Sequence, residues 1–380
     1  MSTNMHLDCR YFIGEKPCKF KLECDECKSY SPMGVRICII KFGALGDVLR
    51  TTPLLHALKE KYSQCHITWV TDTDAIEILS RNPMIDRLFS YSPDIALRFQ
   101  VEGFDILINL EKAIEACLLA SLTKAKEKYG FDISPFGTIC PINDFADYAF
   151  RLGISDDLKF RKNEKTYQEI IFEAVGLKYN GEPYIINLNE DDLAYADSLL
   201  LEKGIKKGDL KIGLNTGSGL VFATKRWTIE GFAGLSDTLS EKLGAKVMLF
   251  GGPEEEVRNK EILDLTEIKP VNMGTKHSLT HFAAIVSRCD LLVTGDTLAL
   301  HFAIGLGVTT VAIFTSTCAQ ELDLYGRGIK IVADVGCAPC YKGSCEDMKC
   351  ASSISASDVF DACVGLLNKS SMFKAQEPVD

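Results

Sequence analysis

Residues 291–316, LLVTGDTLALHFAIGLGVTTVAIFTS, read as one strand, turn, helix, turn and strand. Leu291, Leu292 and Val293 form a short apolar run, and Val311, Ala312, Ile313 and Phe314 form another. Between them Ala299, Phe302, Ala303 and Leu306 recur at helical spacing, and Gly305 and Gly307 are expected to close the helix. Two apolar strands joined by a helical crossover make a βαβ unit, which requires a parallel sheet covered on both faces. The first turn holds Gly295, Asp296 and Thr297, with His301 four residues beyond Thr297 on the same helical face. In open α/β sheets this turn, at the carboxyl end of a strand, is where ligands bind.

The same pattern opens twice upstream. VRICIIKFGALGDVLRTTP is an apolar strand followed by a turn at Gly43 and Gly46, then a kinked helix or two short ones, with Asp47 and Thr52 as alternative starts. KIGLNTGSGLVFATKRW repeats it about 175 residues later: Thr216, Gly217 and Ser218 offer hydroxyls and closely spaced backbone N–H groups that suit a phosphate, and Lys225 and Arg226 follow. A surface turn with a cationic helix start fits the same residues. In KVMLFGGPEEE the glutamates complement a helix dipole, which leaves Glu255 as a candidate for a ribose hydroxyl. His277 and His281 read as a helical pair with a surface role.

Alternating strands and helices on both sides of an irregular crossing near residue 185 predict two doubly wound α/β domains. The expected division is a Cys-rich segment at 1–33, a first Rossmann-like domain at 34–185, a second at 186–335, and a Cys-rich segment, helix and tail at 336–380. A length of 380 residues with 46% hydrophobic and 25% charged residues is that of a globular protein with two cores. A net charge of −10 argues against a general nucleic-acid binder. Neither a signal peptide nor a membrane-spanning run is expected, which makes the cytoplasm the default location. No G-x-G-x-x-G opens either half, which disfavours a nicotinamide-dependent oxidoreductase.

Of the 15 cysteines, eight are bunched. Cys9, Cys18, Cys24 and Cys27 include one C-x-x-C half-site, the spacing by which two thiolates meet one zinc; free thiols are the alternative. Cys337, Cys340, Cys345 and Cys350 lack ferredoxin spacing, so zinc is favoured there over an iron–sulfur cluster, again with free thiols as the alternative.

Three pieces, KFGALGDVLRTTP, NTGSG with TKRW, and NMGTKHSLTHFAAIVSRCDLLVTGDTLALHFAIGLGVTTVAIF, stand in an order that resembles glycosyltransferase family 9, the ADP-heptose:lipopolysaccharide heptosyltransferases. The resemblance implies a GT-B fold, two Rossmann-like domains with a cleft between them, and metal-independent, inverting sugar transfer. It implies a nucleoside-diphosphate donor, ADP-heptose favoured, and a glycan or glycolipid acceptor at the inner membrane surface. Asp47 matches the general base and Lys225 the cation that neutralises the departing diphosphate. Thr216, Gly217 and Ser218 match the phosphate loop, Met273 a position beside the base, and Asp296, Thr297 and His301 the D-T-G-x-x-H motif. The family's glycine in that motif is Leu298 here, which raises the expectation of altered donor geometry. A GT-B nucleotide-sugar epimerase and a non-catalytic nucleotide-sugar-binding relative are the alternative readings.

Overall fold

The computed structural model describes residues 5–25, 27–219 and 221–374. The chain divides into two compact units, 1–154 with 168–182, and 155–167 with 183–380. The break at 182/183 lies close to the expected boundary at 185/186, while residues 155–167, placed by sequence in the first domain, group with the second.

The first unit is built on β1 (Val35–Ile40), β2 (Cys65–Thr71), β3 (Arg87–Ser90), β4 (Phe104–Asn109), β5 (Ala125–Ile133) and β6 (Ile139–Pro141). Their order is β3-β2-β1-β4-β5-β6, with all neighbours parallel except the last pair. β1 and β2 are apolar runs buried along most or all of their length, as strands covered on both faces must be. Cys38, Ile40, Val70 and Leu107 pack with Phe99 and Phe104 against Ala116, Leu119 and Ala120 of the helix Ile114–Leu122. The kinked-helix region resolves into two helices, Leu45–Leu49 and Leu54–Lys61, divided ahead of Pro53, whose ring cannot continue an upstream helix. The Asp- and Pro-rich region after residue 131 contains β6 and the helix Asp147–Leu152.

The second unit carries β7 (Lys211–Asn215), β8 (Lys246–Phe250), β9 (Val271–Asn272), β10 (Leu291–Gly295), β11 (Thr310–Phe314) and β12 (Gly328–Val332), all parallel, in the order β12-β11-β10-β7-β8-β9. Ile212, Leu214, Val293 and Ile313 form its core with the helix Ile229–Leu243. The helix Ala356–Lys374 returns to this core through Val359, Cys363 and Leu366, so the C-terminal segment belongs to the second unit. This helix runs to Lys374, and residues 375–380 lie outside the described residues.

The helix of the opening stretch spans Leu298–Leu306 and ends at Gly307, which adopts φ +75. Gly305 does not close it but lies inside it: a Cβ there would stand 2.4 Å from Cδ1 of Ile186. Its glycine therefore serves packing rather than termination.

Candidate active site

Each sheet has one place where strand order reverses, between β1 and β4 in the first and between β7 and β10 in the second. The crossovers from these neighbouring strands leave in opposite directions, and a crevice opens at their carboxyl ends. Asp47 follows the first of these places and Lys225, Asp296 and Thr297 the second, whereas Glu255 and Met273 follow β8 and β9.

In the first unit Lys41, the residue after β1, is 4% exposed, and its Nζ lies 2.5 Å from Oε2 of Glu111, just beyond β4. Glu111 Oε1 accepts the backbone N–H groups of Lys112 at 2.8 Å and Ala113 at 3.3 Å, so one carboxylate ties a buried cation to the start of the next helix. Gly43 has φ +89 and its N–H donates to Asp72 Oδ2 at 3.0 Å. Gly46 is buried inside the helix Leu45–Leu49. Asp47 lies within the first turn of that helix rather than at its N-cap, which is Ala44. Its Oδ1 is 3.0 Å from the Arg50 guanidinium, and the side chain remains 37% exposed. Asp47 is thus not the cap of this helix, and Arg50 orients its carboxylate at the carboxyl edge of the sheet.

In the second unit β7 ends at Asn215, whose Nδ2 donates to Oγ1 of both Thr294 and Thr297 at 3.1 Å. This amide bridges the two central strands at the reversal. Asp296 follows β10, and its Oδ2 lies 3.1 Å from Lys225 Nζ, with side-chain exposures of 14% and 19%. Lys225 Nζ also lies 3.3 Å from the Asp296 carbonyl oxygen and 5.2 Å from the centre of the Phe222 ring. A half-buried ammonium with so close a carboxylate is a preorganised cation, fixed before any anionic ligand arrives. Lys225 ends the 3-10 turn Ala223–Lys225. That turn is braced by Thr224, which bonds the Lys342 carbonyl oxygen and Ser316 Oγ, and whose carbonyl oxygen accepts Thr315 Oγ1 at 2.8 Å.

The glycine loop is shaped from beneath by Glu255. A Cβ on Gly217 would fall 2.0 Å from the Glu255 carboxyl carbon. Glu255 is 4% exposed; Oε2 accepts the Gly252 N–H at 3.0 Å and Oε1 faces Arg226 Nη2 at 3.3 Å. Both oxygens expected to meet a ribose are thus engaged within the protein. Thr216 turns its hydroxyl into the core, 2.5 Å from Asn259 Oδ1, and Ser218 Oγ donates to the Phe222 carbonyl oxygen at 2.8 Å. What the loop offers a phosphate is therefore its backbone N–H groups and the nearby cations. Arg258 pins the loop through Nε to the Thr216 carbonyl oxygen at 2.9 Å; burial first, then the neighbouring Arg226 charge, lower its pKa to about 10.

His301 is 5% exposed, with Nδ1 3.5 Å from the Tyr184 hydroxyl. Met273 is buried, and its carbonyl oxygen lies 2.9 Å from His277 Nε2, while Tyr195 holds His277 Nδ1 at 2.8 Å. His277 precedes the helix Leu279–Val286, so it and His281 are not a helical pair; Tyr195 stacks on His281 at 3.8 Å. Leu298 is the first residue of its helix and half-buried, a position with ordinary helical backbone that leucine adopts as readily as glycine. The backbone at this position thus needs no glycine, while the leucine side chain stands where the motif has none.

Sequence reasoning missed Lys41, Asp72, Glu111, Asn215 and Arg258. The first four were findable as polar residues at or just past strand ends, whereas Arg258 lies inside a helix and reaches the Thr216 carbonyl oxygen across 42 positions.

The cysteine bunches lie apart from these residues in sequence. Backbone N–H groups of Leu22 and Phe20 draw the Cys18 thiol below its usual pKa, and those of Met348 and Asp347 do the same for Cys345. Burial pushes the Cys350 thiol up. Among the described residues, no three His, Cys, Asp or Glu side chains are grouped closely enough to hold a single metal ion.

Two doubly wound units, with glycine turns, a fixed lysine and a preoriented carboxylate at their reversal points, define an α/β protein of the nucleotide-handling type. The family model for glycosyltransferase family 9 (heptosyltransferase) matches residues 96–351, and the chain belongs to that family. It is a glycosyltransferase. It is 24% identical over 291 residues to the lipopolysaccharide core heptosyltransferase OpsX of Haemophilus influenzae, covering 73% of this chain and 78% of that one. It is 23% identical over 337 residues to lipooligosaccharide heptosyltransferase 2 of Campylobacter jejuni, covering 86% and 96%. Among solved structures, the glycosyl transferase family 9 protein of Veillonella parvula superposes with a TM-score of 0.71 at 25% identity, covering 88% of this chain and 98% of that one. The Escherichia coli ADP-heptose lps heptosyltransferase II does so with 0.65 at 17%, covering 89% and 100%, a likeness of fold.

Proposed function

We propose that the protein transfers a heptose from ADP-heptose to a lipopolysaccharide-type acceptor with inversion at the anomeric carbon. The observation that carries this reading is the Lys225–Asp296 pair at the β7/β10 reversal, beside the Gly217 loop, in a family 9 chain. Asp47 is the general base: it takes the acceptor hydroxyl's proton as that oxygen attacks the anomeric carbon and the bond to the diphosphate breaks. Lys225 meets the negative charge that grows on the leaving diphosphate, so its effect falls on turnover more than on binding. Relatives that are heptosyltransferases of lipopolysaccharide and lipooligosaccharide, and the similar fold of the Escherichia coli heptosyltransferase WaaC solved with ADP, support the donor and acceptor classes. The family favours transfer over epimerisation. Among the described residues, no helix is long and apolar enough to cross a membrane, so a lipid-linked acceptor would be met from the water side.

The test is transfer from ADP-heptose to a heptose-deficient lipopolysaccharide core. Asp47→Ala should abolish transfer while ADP still raises the melting temperature; wild-type transfer by that variant would sink the mechanism. Cys337, Cys340 and Cys345 lie in the loop whose Lys342 carbonyl oxygen accepts Thr224 Oγ1, and Cys350 in the short helix Lys349–Ser352 that follows; we propose that one structural zinc, outside the chemistry, draws these thiols together. Elemental analysis of reduced protein purified without added metal checks this.

A further inference from the structure

Tyr341 lies in the Cys-rich loop after β12, far in sequence from the residues that would handle the donor, yet three other stretches of the second unit meet on it. Its N–H and that of Cys340 both donate to the Ser316 carbonyl oxygen at 3.0 Å, just beyond β11. Its hydroxyl accepts the Cys318 N–H at 3.2 Å. Its ring stacks on Phe160 of the short helical turn Leu158–Lys162, with centres 5.5 Å apart and planes 6° from parallel, and Lys159 Nζ stands 4.1 Å from the ring centre. The third contact is edge-on with Phe222, at 6.4 Å and 87°. Tyr341 itself holds φ +52, in the left-handed region that a bulky residue rarely enters. Such a conformation persists only where surrounding contacts over-determine it, and such positions cluster at functional sites.

Phe222 leads from Tyr341 to Lys225. It opens the turn Ala223–Lys225, and its carbonyl oxygen accepts Ser218 Oγ at 2.8 Å and the Lys225 N–H at 3.0 Å. Its ring centre lies 5.2 Å from Lys225 Nζ. The ammonium thus has two supports, the Asp296 carboxylate at 3.1 Å and the face of the Phe222 ring. The carboxylate alone would leave the lysine free to swing about one contact; the ring attracts it from a second direction and fixes its place. Phe222 is only half-buried, so its ring keeps one orientation by being packed, and its one aromatic contact among the described residues is with Tyr341.

We propose that Tyr341 is a positioning residue for sugar transfer: through Phe222 it fixes where the Lys225 ammonium stands, which rests on the reading that Lys225 meets the departing diphosphate. Because that charge grows only as the bond breaks, a displaced ammonium costs turnover more than ground-state binding. The two parts of the tyrosine have separate tasks. Its hydroxyl satisfies the N–H of Cys318, a residue 1% exposed, and so contributes to stability. Its ring holds Phe222 and so serves Lys225. Tyr341→Phe removes the first task alone, whereas Tyr341→Leu removes both.

In transfer from ADP-heptose by the full chain, Tyr341→Leu should lower kcat by about tenfold while the ADP dissociation constant stays within about twofold of wild type. Tyr341→Phe should melt at a lower temperature, since the Cys318 N–H loses its acceptor, yet keep kcat within about twofold. On a Lys225→Ala background, Tyr341→Leu should lower kcat no further, because the group it acts through is gone. Wild-type kcat in Tyr341→Leu, a comparable loss in Tyr341→Phe, or an undiminished loss on the Lys225→Ala background would each overturn the proposal. If Tyr341→Leu does not fold, Phe222→Leu decides: it removes the ring beside Lys225, so the same drop in kcat upholds the role and wild-type kcat refutes it. If the wild-type chain transfers nothing from ADP-heptose, the donor reading fails, and Tyr341 is judged by how fast an amine-specific reagent modifies Lys225, followed by peptide mass spectrometry. A rate raised at least about threefold in Tyr341→Leu but not in Tyr341→Phe upholds the role, and any other pattern refutes it.

Discussion

Gly217→Ala tests whether Glu255 shapes the phosphate loop. The added Cβ would lie 2.0 Å from the Glu255 carboxyl carbon, 2.2 Å from Cγ and 2.3 Å from Oε1, distances no relaxed structure holds. Glu255 is buried, so the easiest relief is rotation of its carboxylate away from the Gly252 N–H and Arg226. A hydrogen bond to a charged group contributes about 1.5–3 kcal/mol. The Arg226 pair adds little, about 0–1 kcal/mol, because the arginine is partly solvated. The substitution should therefore cost about 3 kcal/mol in urea unfolding and shrink the rise in melting temperature produced by ADP. Gly336→Ala, where a Cβ would meet nothing within 4 Å, should change stability by less than about 0.5 kcal/mol. Glu255→Ala deletes the atoms in collision, so adding Gly217→Ala to it should cost almost nothing more. Wild-type stability and ADP binding in Gly217→Ala, or a double variant whose loss equals the sum of the two singles, would refute this account of the loop.

Lys225→Ala should lower kcat by about 10²–10³ with a much smaller change in ADP affinity, read by steady-state kinetics and calorimetry, since one preorganised charge contributes that much at a transition state. Leu298→Gly should leave donor choice unchanged in a nucleotide-sugar panel and destabilise the chain by about 1 kcal/mol, because it places glycine in a helix that already accepts leucine. His66 is buried in β2, and that burial lowers its pKa from 6.5 to about 4. The unfolded chain then binds the proton more readily, so stability is complete above about pH 6.5 and declines as pH falls towards 4, by an order-of-magnitude 3 kcal/mol. His66→Gln should flatten that part of a stability-against-pH curve measured by denaturant unfolding.

Local pattern was enough to place the strands and glycine turns around both reversal points, though not β6 or the helix Asp147–Leu152. Apolar runs such as VRICII and LLVTG, glycine turns, and helical periodicity are properties of a few neighbouring residues. It was likewise enough to put Asp47, Gly217, Lys225 and Asp296 at the carboxyl ends of strands, because each follows an apolar run directly or by a short turn. What each side chain does there was decided by tertiary structure. Lys225 meets Asp296 across 71 positions, Asn215 joins Thr294 and Thr297 across about eighty, and Glu255 takes its place under Gly217 with its carboxylate bonded to the Gly252 N–H. The reversal of strand order that creates both sites exists only once β1 lies beside β4 and β7 beside β10. The four N-terminal cysteines likewise line one cavity although 18 positions separate Cys9 from Cys27. Sequence sets the conformation a residue can adopt within its own turn or strand; the partners that orient its polar atoms arrive from elsewhere in the chain, where no local pattern records them.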